Sequence, residues 1–177
     1  MEIWSFPQIL GYIAFCAGVF AFLQKVDVRL KFFSAMECFL MIAHFYLLDN
    51  HTAAVMVSIS AVRNISSIFT QSRVIAGVFV LIGLAGGIYT AQYWYSFLII
   101  MSQVASTIAL FTLRGLNLRY VFVFAASCWL VNNILTKSIG GVALEIFILA
   151  ANISTIVRLR REKRLCEQAV DLRVQQE

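Results

Sequence analysis

Between Val74 and Tyr89 the chain carries no charged side chain, and comparable apolar runs recur along most of its length. A backbone in hydrocarbon must satisfy its own N–H and C=O groups, so only helices and closed barrels cross a bilayer. A barrel strand reads as about ten residues of alternating polarity, and these runs are longer and do not alternate. They therefore predict membrane helices of about 20 residues each. Composition agrees: 61% of the 177 residues are hydrophobic and 13% charged, against about 45–50% and about 25% in soluble domains.

The runs predict an all-α bundle of seven spans, near residues 7–23, 30–48, 52–70, 74–90, 93–113, 118–135 and 140–157. Polar turns separate them, among them Asp49-Asn50-His51, Gln71-Ser72-Arg73, Arg114-Gly115-Leu116-Asn117 and Thr136-Lys137-Ser138. Residues 1–164 form the membrane domain and residues 165–177 a charged cytoplasmic tail. The first run has no Lys or Arg ahead of it and leads straight into more membrane sequence, unlike a cleavable signal peptide. With alternate turns on opposite faces, Lys25, Arg29, Lys31, Arg73, Arg114, Arg119 and the basic residues of the tail share one side, and Lys137 stands alone on the other. The positive-inside bias places the amino terminus in the periplasm and the carboxyl terminus in the cytoplasm. Trp4, Tyr93, Trp94 and Tyr95 gather toward the outer face, where aromatic belts sit.

Arg63-Asn64-Ile65-Ser66-Ser67-Ile68 in the third run echoes Ala151-Asn152-Ile153-Ser154-Thr155-Ile156 in the seventh. Two three-helix units, about 7–70 and about 93–157, run in the same sense only if one helix inverts the chain between them. The fourth run, about 74–90, supplies that inversion. Parallel repeats of this kind place a site between the halves near the midplane.

Ionisable groups at bilayer depth cost about 2.5–3.5 kcal/mol each on insertion scales and pair or line cavities. Glu37 and Arg63 both fall about 10 Å from the cytoplasmic ends of adjacent helices, which predicts a buried ion pair; separate snorkelling is the alternative. His44, Asn132, Asn133 and Glu145 fall in the outer third of their spans. They read either as a proton relay or as an interhelical hydrogen-bond cluster. Asn64 and Asn152 offer amide donors and acceptors to a solute hydroxyl or to each other, and Trp129 supplies a nearby aromatic. Gly83, Gly86, Gly87 and Gly140-Gly141 mark close helix approach.

Enzyme signals are missing: no H-E-x-x-H, G-x-S-x-G or phosphate-loop pattern occurs. Without a C-x-x-C or a His pair inside the bilayer, Cys16, Cys38, Cys128 and Cys166 read as small fillers, and no metal or cofactor is expected. The basic segment Arg158–Arg164 suits anionic lipid headgroups. No folded reader for nucleic acid accompanies it.

Cys128-Trp129-Leu130-Val131-Asn132-Asn133, Ser138-Ile139-Gly140-Gly141, Glu145, Asn152 and Arg158, with His44-Phe45-Tyr46-Leu47-Leu48 and Arg63 in the first half, resemble the bacterial YgjV inner-membrane protein family. The resemblance reaches to about Arg164 and implies an inner-membrane protein of undetermined activity. In architecture alone the 3+1+3 plan is similar to SWEET sugar transporters and PnuC vitamin transporters. That likeness implies a substrate role for Asn64 and Asn152, which hold the places of the paired asparagines of SWEET-like proteins. Hinges at proline are not implied, because Pro7 is the one proline. Two functions follow as expectations: a transporter of a small sugar-, nucleoside- or vitamin-like solute, or a non-transporting scaffold or subunit whose polar groups fix packing. The sequence specifies neither substrate nor oligomeric state.

Overall fold

The structure, a computed structural model, describes residues 4–23, 27–70 and 72–174; the side chains of 21–32, 34–35, 68 and 166–174 are not among those described. The charges expected at Lys25, Arg29, Lys31 and Arg173, and the thiol of Cys166, fall outside the described side chains. The described residues form seven α-helices and no strand: α1 (Phe6–Leu23), α2 (Asp27–Leu47), α3 (His51–Phe69), α4 (Arg73–Thr90), α5 (Ser96–Thr112), α6 (Gly115–Leu135) and α7 (Ile139–Val174).

The turns foreseen in the sequence are where these helices stop, and each has a local cause. Pro7 sits in the first turn of α1, where its missing N–H costs nothing. Asp49 adopts φ 57°, and Asn50 then caps α3 by accepting from the Ala53 N–H at 3.0 Å. Lys137 repeats the device with φ 57°. Ser138 follows it as Asn50 follows Asp49, its Oγ accepting from Gly141 N–H at 3.1 Å in the manner of an N-cap. Gly115 opens α6 at φ 61°, a left-handed conformation that glycine adopts without strain.

By length and composition α4, α6 and the 139–165 part of α7 can each cross a membrane, and α1, α2 and α5 hold shorter apolar stretches. The outward faces are greasy: Phe69, Val74, Leu81, Ile88 and Tyr89 are all exposed. On α4 the pattern is sharp, since its large side chains point out while Ala76, Gly83 and Gly87 are buried. A Cβ on Gly87 would stand 2.6 Å from Ile100 and one on Gly86 3.1 Å from Val55, so α4 docks through its small residues, as membrane helices do. The buried core joins Ala14, Met41, Phe45, Ala53, Met56, Ile99 and Leu144.

Packing follows chain order. Helix α2 contacts α1 and α3, α6 contacts α5 and α7, and the two sets meet where α1 packs on α7 and α3 on α5. Exchanging α1, α2 and α3 for α5, α6 and α7 reproduces this set of pairs. Helix α4 lies against α3 and α5. The end of the bundle that holds the α5–α6 turn and Arg73 is called here the basic end; the end that holds the α2–α3, α4–α5 and α6–α7 connections and Trp4 is called the far end. The charged segment expected from residue 165 begins as helix, since α7 continues unbroken to Val174. Arg158 and Glu162 face each other at 3.8 Å in i,i+4 spacing, and Arg160 Nε donates to Tyr120 Oη at 2.8 Å.

Candidate functional site

Polar side chains collect in two places. The first is the far end. His44, fully buried, has Nδ1 2.6 Å from the Pro7 carbonyl and Nε2 2.6 Å from Ser138 Oγ. Gln8 closes the loop by donating to the Lys137 carbonyl at 2.6 Å and accepting from Ile139 N–H at 3.0 Å. Asn50 donates to Asn132 Oδ1 at 3.2 Å. A Cβ on Gly140 would fall on the Gly11 backbone, and one on Gly11 would meet the His44 ring at 2.8 Å. Thus α1, α2, α6 and α7 are fastened together at this end, with α3 tied to α6 beside them. A hollow of about 370 Å³ lies at the surface here, reaching Gln8, Asn133 and Ser138. Asn133 is fully buried, and neither its Oδ1 nor its Nδ2 has a hydrogen-bond partner among the described residues.

The second place is a cavity of about 290 Å³ between α3 of the first half and α5, α6 and α7 of the second. Its wall includes Arg63 from α3, Gln103 and Ser106 from α5, Arg119 and Trp129 from α6, and Glu145 and Asn152 from α7. Arg63, 7% exposed, donates through Nη1 to Ser106 Oγ at 2.9 Å, Thr107 Oγ1 at 3.0 Å and Gln103 Oε1 at 3.3 Å. Arg119 Nη1 donates to Asn152 Oδ1 at 3.1 Å, and Asn152 Nδ2 returns to the Ile148 carbonyl at 2.9 Å. Trp129 packs on Phe45, with ring centroids 5.8 Å apart. Gln103 is 1% exposed, and its Nε2 finds no acceptor among the described residues.

Several expected arrangements are corrected by these positions. Glu37 and Arg63 form no ion pair: Glu37 accepts from Cys38 Sγ at 3.5 Å and lies against α1, 3.4 Å from where a Gly18 Cβ would stand, whereas Arg63 turns to α5. The two helices are neighbours, but the side chains leave them in different directions. The relay is divided as well. His44, Asn132 and Asn133 belong to the far end and Glu145 to the cavity, and among the described residues no hydrogen bond joins His44 to Glu145. Asn64 does not face Asn152 across the cavity. It is exposed, and its Oδ1 accepts from Arg63 Nε and Nη2 at 3.2 and 3.0 Å; Arg63, one residue earlier, takes the inward place. Asn152 and Trp129 do line the cavity.

Gln103, Ser106 and Thr107 were missed by sequence reasoning, as was the inward turn of Arg119. Their signal was present: polar residues at i, i+3 and i+4 mark one face of a membrane helix.

Residues 5–163 match the Imp-YgjV family, described as a bacterial inner membrane protein. The chain is also 30% identical over 167 residues to the inner membrane protein YgjV of Escherichia coli K12, covering 93% of this chain and 90% of that protein. No solved structure matches. A family match over almost the whole described bundle, together with the greasy outer face and the polar interior, means that this chain belongs to the Imp-YgjV family of bacterial inner membrane proteins.

Proposed function

We propose that the protein spans the inner membrane seven times, amino terminus outside and carboxyl terminus inside, and binds and transports a small polar solute in the cavity between α3 and the second three-helix unit. The observation that carries this reading is the cavity itself: a space of about 290 Å³ with a largely apolar wall into which Asn152, Gln103 and Trp129 are set, at the small end of the range for ligand sites. The helix pairing, unchanged when the two three-helix sets are exchanged, supports the parallel-repeat plan, in which solutes sit between halves. Basic residues at one end, with Arg114, Arg158 and Arg161 exposed, suit a cytoplasmic face against anionic lipid.

A second reading, a scaffold or subunit, is favoured by the hydrogen-bond set around His44, which fixes packing with no need of a solute. The two separate in a thermal-shift screen of the purified protein against sugars, nucleosides and vitamins. A transporter gives hits that weaken in Asn152→Ala and Trp129→Ala. Hits indifferent to both changes, or none, leave the scaffold. Orientation is read by a carboxyl-terminal reporter, expected active in the cytoplasm and silent in the periplasm.

A further inference from the structure

Arg63 holds a charge that no carboxylate among the described residues neutralises. Its acceptors among the described residues are neutral side chains, and no carboxylate oxygen among those residues comes within 4.0 Å of it or of Arg119. Hydrogen bonds to hydroxyls and amides satisfy geometry but leave a net positive field, which is strong where water is scarce. A guanidinium kept so deep in an apolar bundle marks a ligand or ion path.

The rest of the wall adds to the same sign. Arg119 is aimed by its bond to Asn152, and Gln103 presents an unused amide N–H within the same lining. Against two guanidiniums the cavity carries one carboxylate, Glu145. That residue lies seven positions before Asn152 on α7, about 10 Å along the helix. Among the described residues it makes no ion pair. The cavity is therefore cationic toward the basic end and carries an acid and an indole toward the midplane.

We infer that the cavity binds an oxyanion, a carboxylate or phosphate group, between Arg63 and Arg119, with the Gln103 amide as a third donor. Charge-assisted bonds from guanidinium to oxyanion are roughly twice as strong as neutral ones and match in planar geometry. This rests on the cavity being the solute site and narrows the solute to the anionic members of its class, such as a sugar phosphate or a vitamin acid. An anionic lipid headgroup carries the same chemistry, so source and chemistry need separate arms.

The test uses matched probes on the detergent-purified full chain: glucose against glucose 6-phosphate, nicotinamide against nicotinate, inorganic phosphate alone, and short-chain phosphatidylglycerol against the corresponding phosphatidylcholine. Thermal-shift midpoints and dissociation constants are read in the native chain, Arg119→Gln, Arg63→Gln and Arg63→Lys. The expected result is a shift from the anionic member of at least one solute pair and not from its neutral mate. Affinity should fall roughly tenfold or more in each Gln variant and less in Arg63→Lys, which keeps the charge. Variants that elute and melt like the native chain exclude misfolding as the cause. Equal response to both members of each pair overturns the oxyanion and keeps the solute site. Response to phosphatidylglycerol alone keeps the oxyanion and removes transport. Anion binding unchanged in both Gln variants, or no response to any anion, overturns the inference.

Discussion

At the far end His44 and Gln8 are spent on other parts of the protein, while Asn132 and Asn133 keep buried amide groups that meet no partner among the described residues; at the basic end it is a charge that goes unanswered, with Arg63 bonded only to neutral groups beside a cavity. His44 has both ring nitrogens engaged by groups on other segments, and Gln8 bridges α1 to the start of α7. Arg63 is held as firmly, yet by neutral acceptors that leave its charge uncompensated. Closed networks at bilayer depth give stability and a single arrangement. Uncompensated charge gives up stability for a capacity to bind, the usual balance at functional sites. The lesson is that polarity in a membrane bundle is not informative by itself; what matters is whether a buried charge meets a counter-charge.

The sharpest way to break the contrast is at the tight contact of α1 with α7. Gly140→Ala puts a Cβ on the Gly11 backbone, which side-chain motion cannot relieve. Its overpacking cost is about 3 kcal/mol or more, seen as a collapse of folded yield on size exclusion. Next comes His44→Ala, which leaves Ser138 and a buried hollow behind; about 2–4 kcal/mol should be lost, read as a lowered melting midpoint. Arg63→Gln should differ in kind. Removing a buried charge that has no ionic partner changes stability by only about 1 kcal/mol and can raise it, while solute binding is lost. The smallest effect is expected of Gly77→Ala on α4, where a Cβ meets nothing within 4 Å. A neutral or slightly higher midpoint there, within about 1 kcal/mol, shows that the Gly140 result reports contact rather than glycine loss in general.

Element order was legible because the turns carry their own chemistry: Asp49-Asn50, Arg114-Gly115 and Lys137-Ser138 each appear as polar breaks and each terminates or starts a helix. The extension of α7 was not, since Arg158–Val174 loses apolar character without losing helix propensity; Arg, Glu and Leu continue a helix in water as well as in lipid. Within the site, depth was readable and azimuth was not. Helix rise put Glu37 and Arg63 level, but one faces α1 and the other α5. The same gap exchanged Asn64 for Arg63, a single-residue difference of about 100° around the helix. Gln103, Ser106 and Thr107 show where azimuth could have been read, because several polar residues on one helix define a face that a lone residue cannot.

The central claim, a solvent-reached cavity walled by Arg63, Gln103 and Arg119, is tested most directly by thiol accessibility in a cysteine-free background. Ala126→Cys and Ala14→Cys place equal side chains at positions of 4% and 0% exposure, but only Ala126 lines the cavity. A small charged methanethiosulfonate added from the side of the basic turns should modify the first and spare the second, with modification slowed by the anion that binds. Equal inertness of the two thiols would contradict a water-filled cavity, and with it the solute site built on Arg63, Gln103 and Arg119.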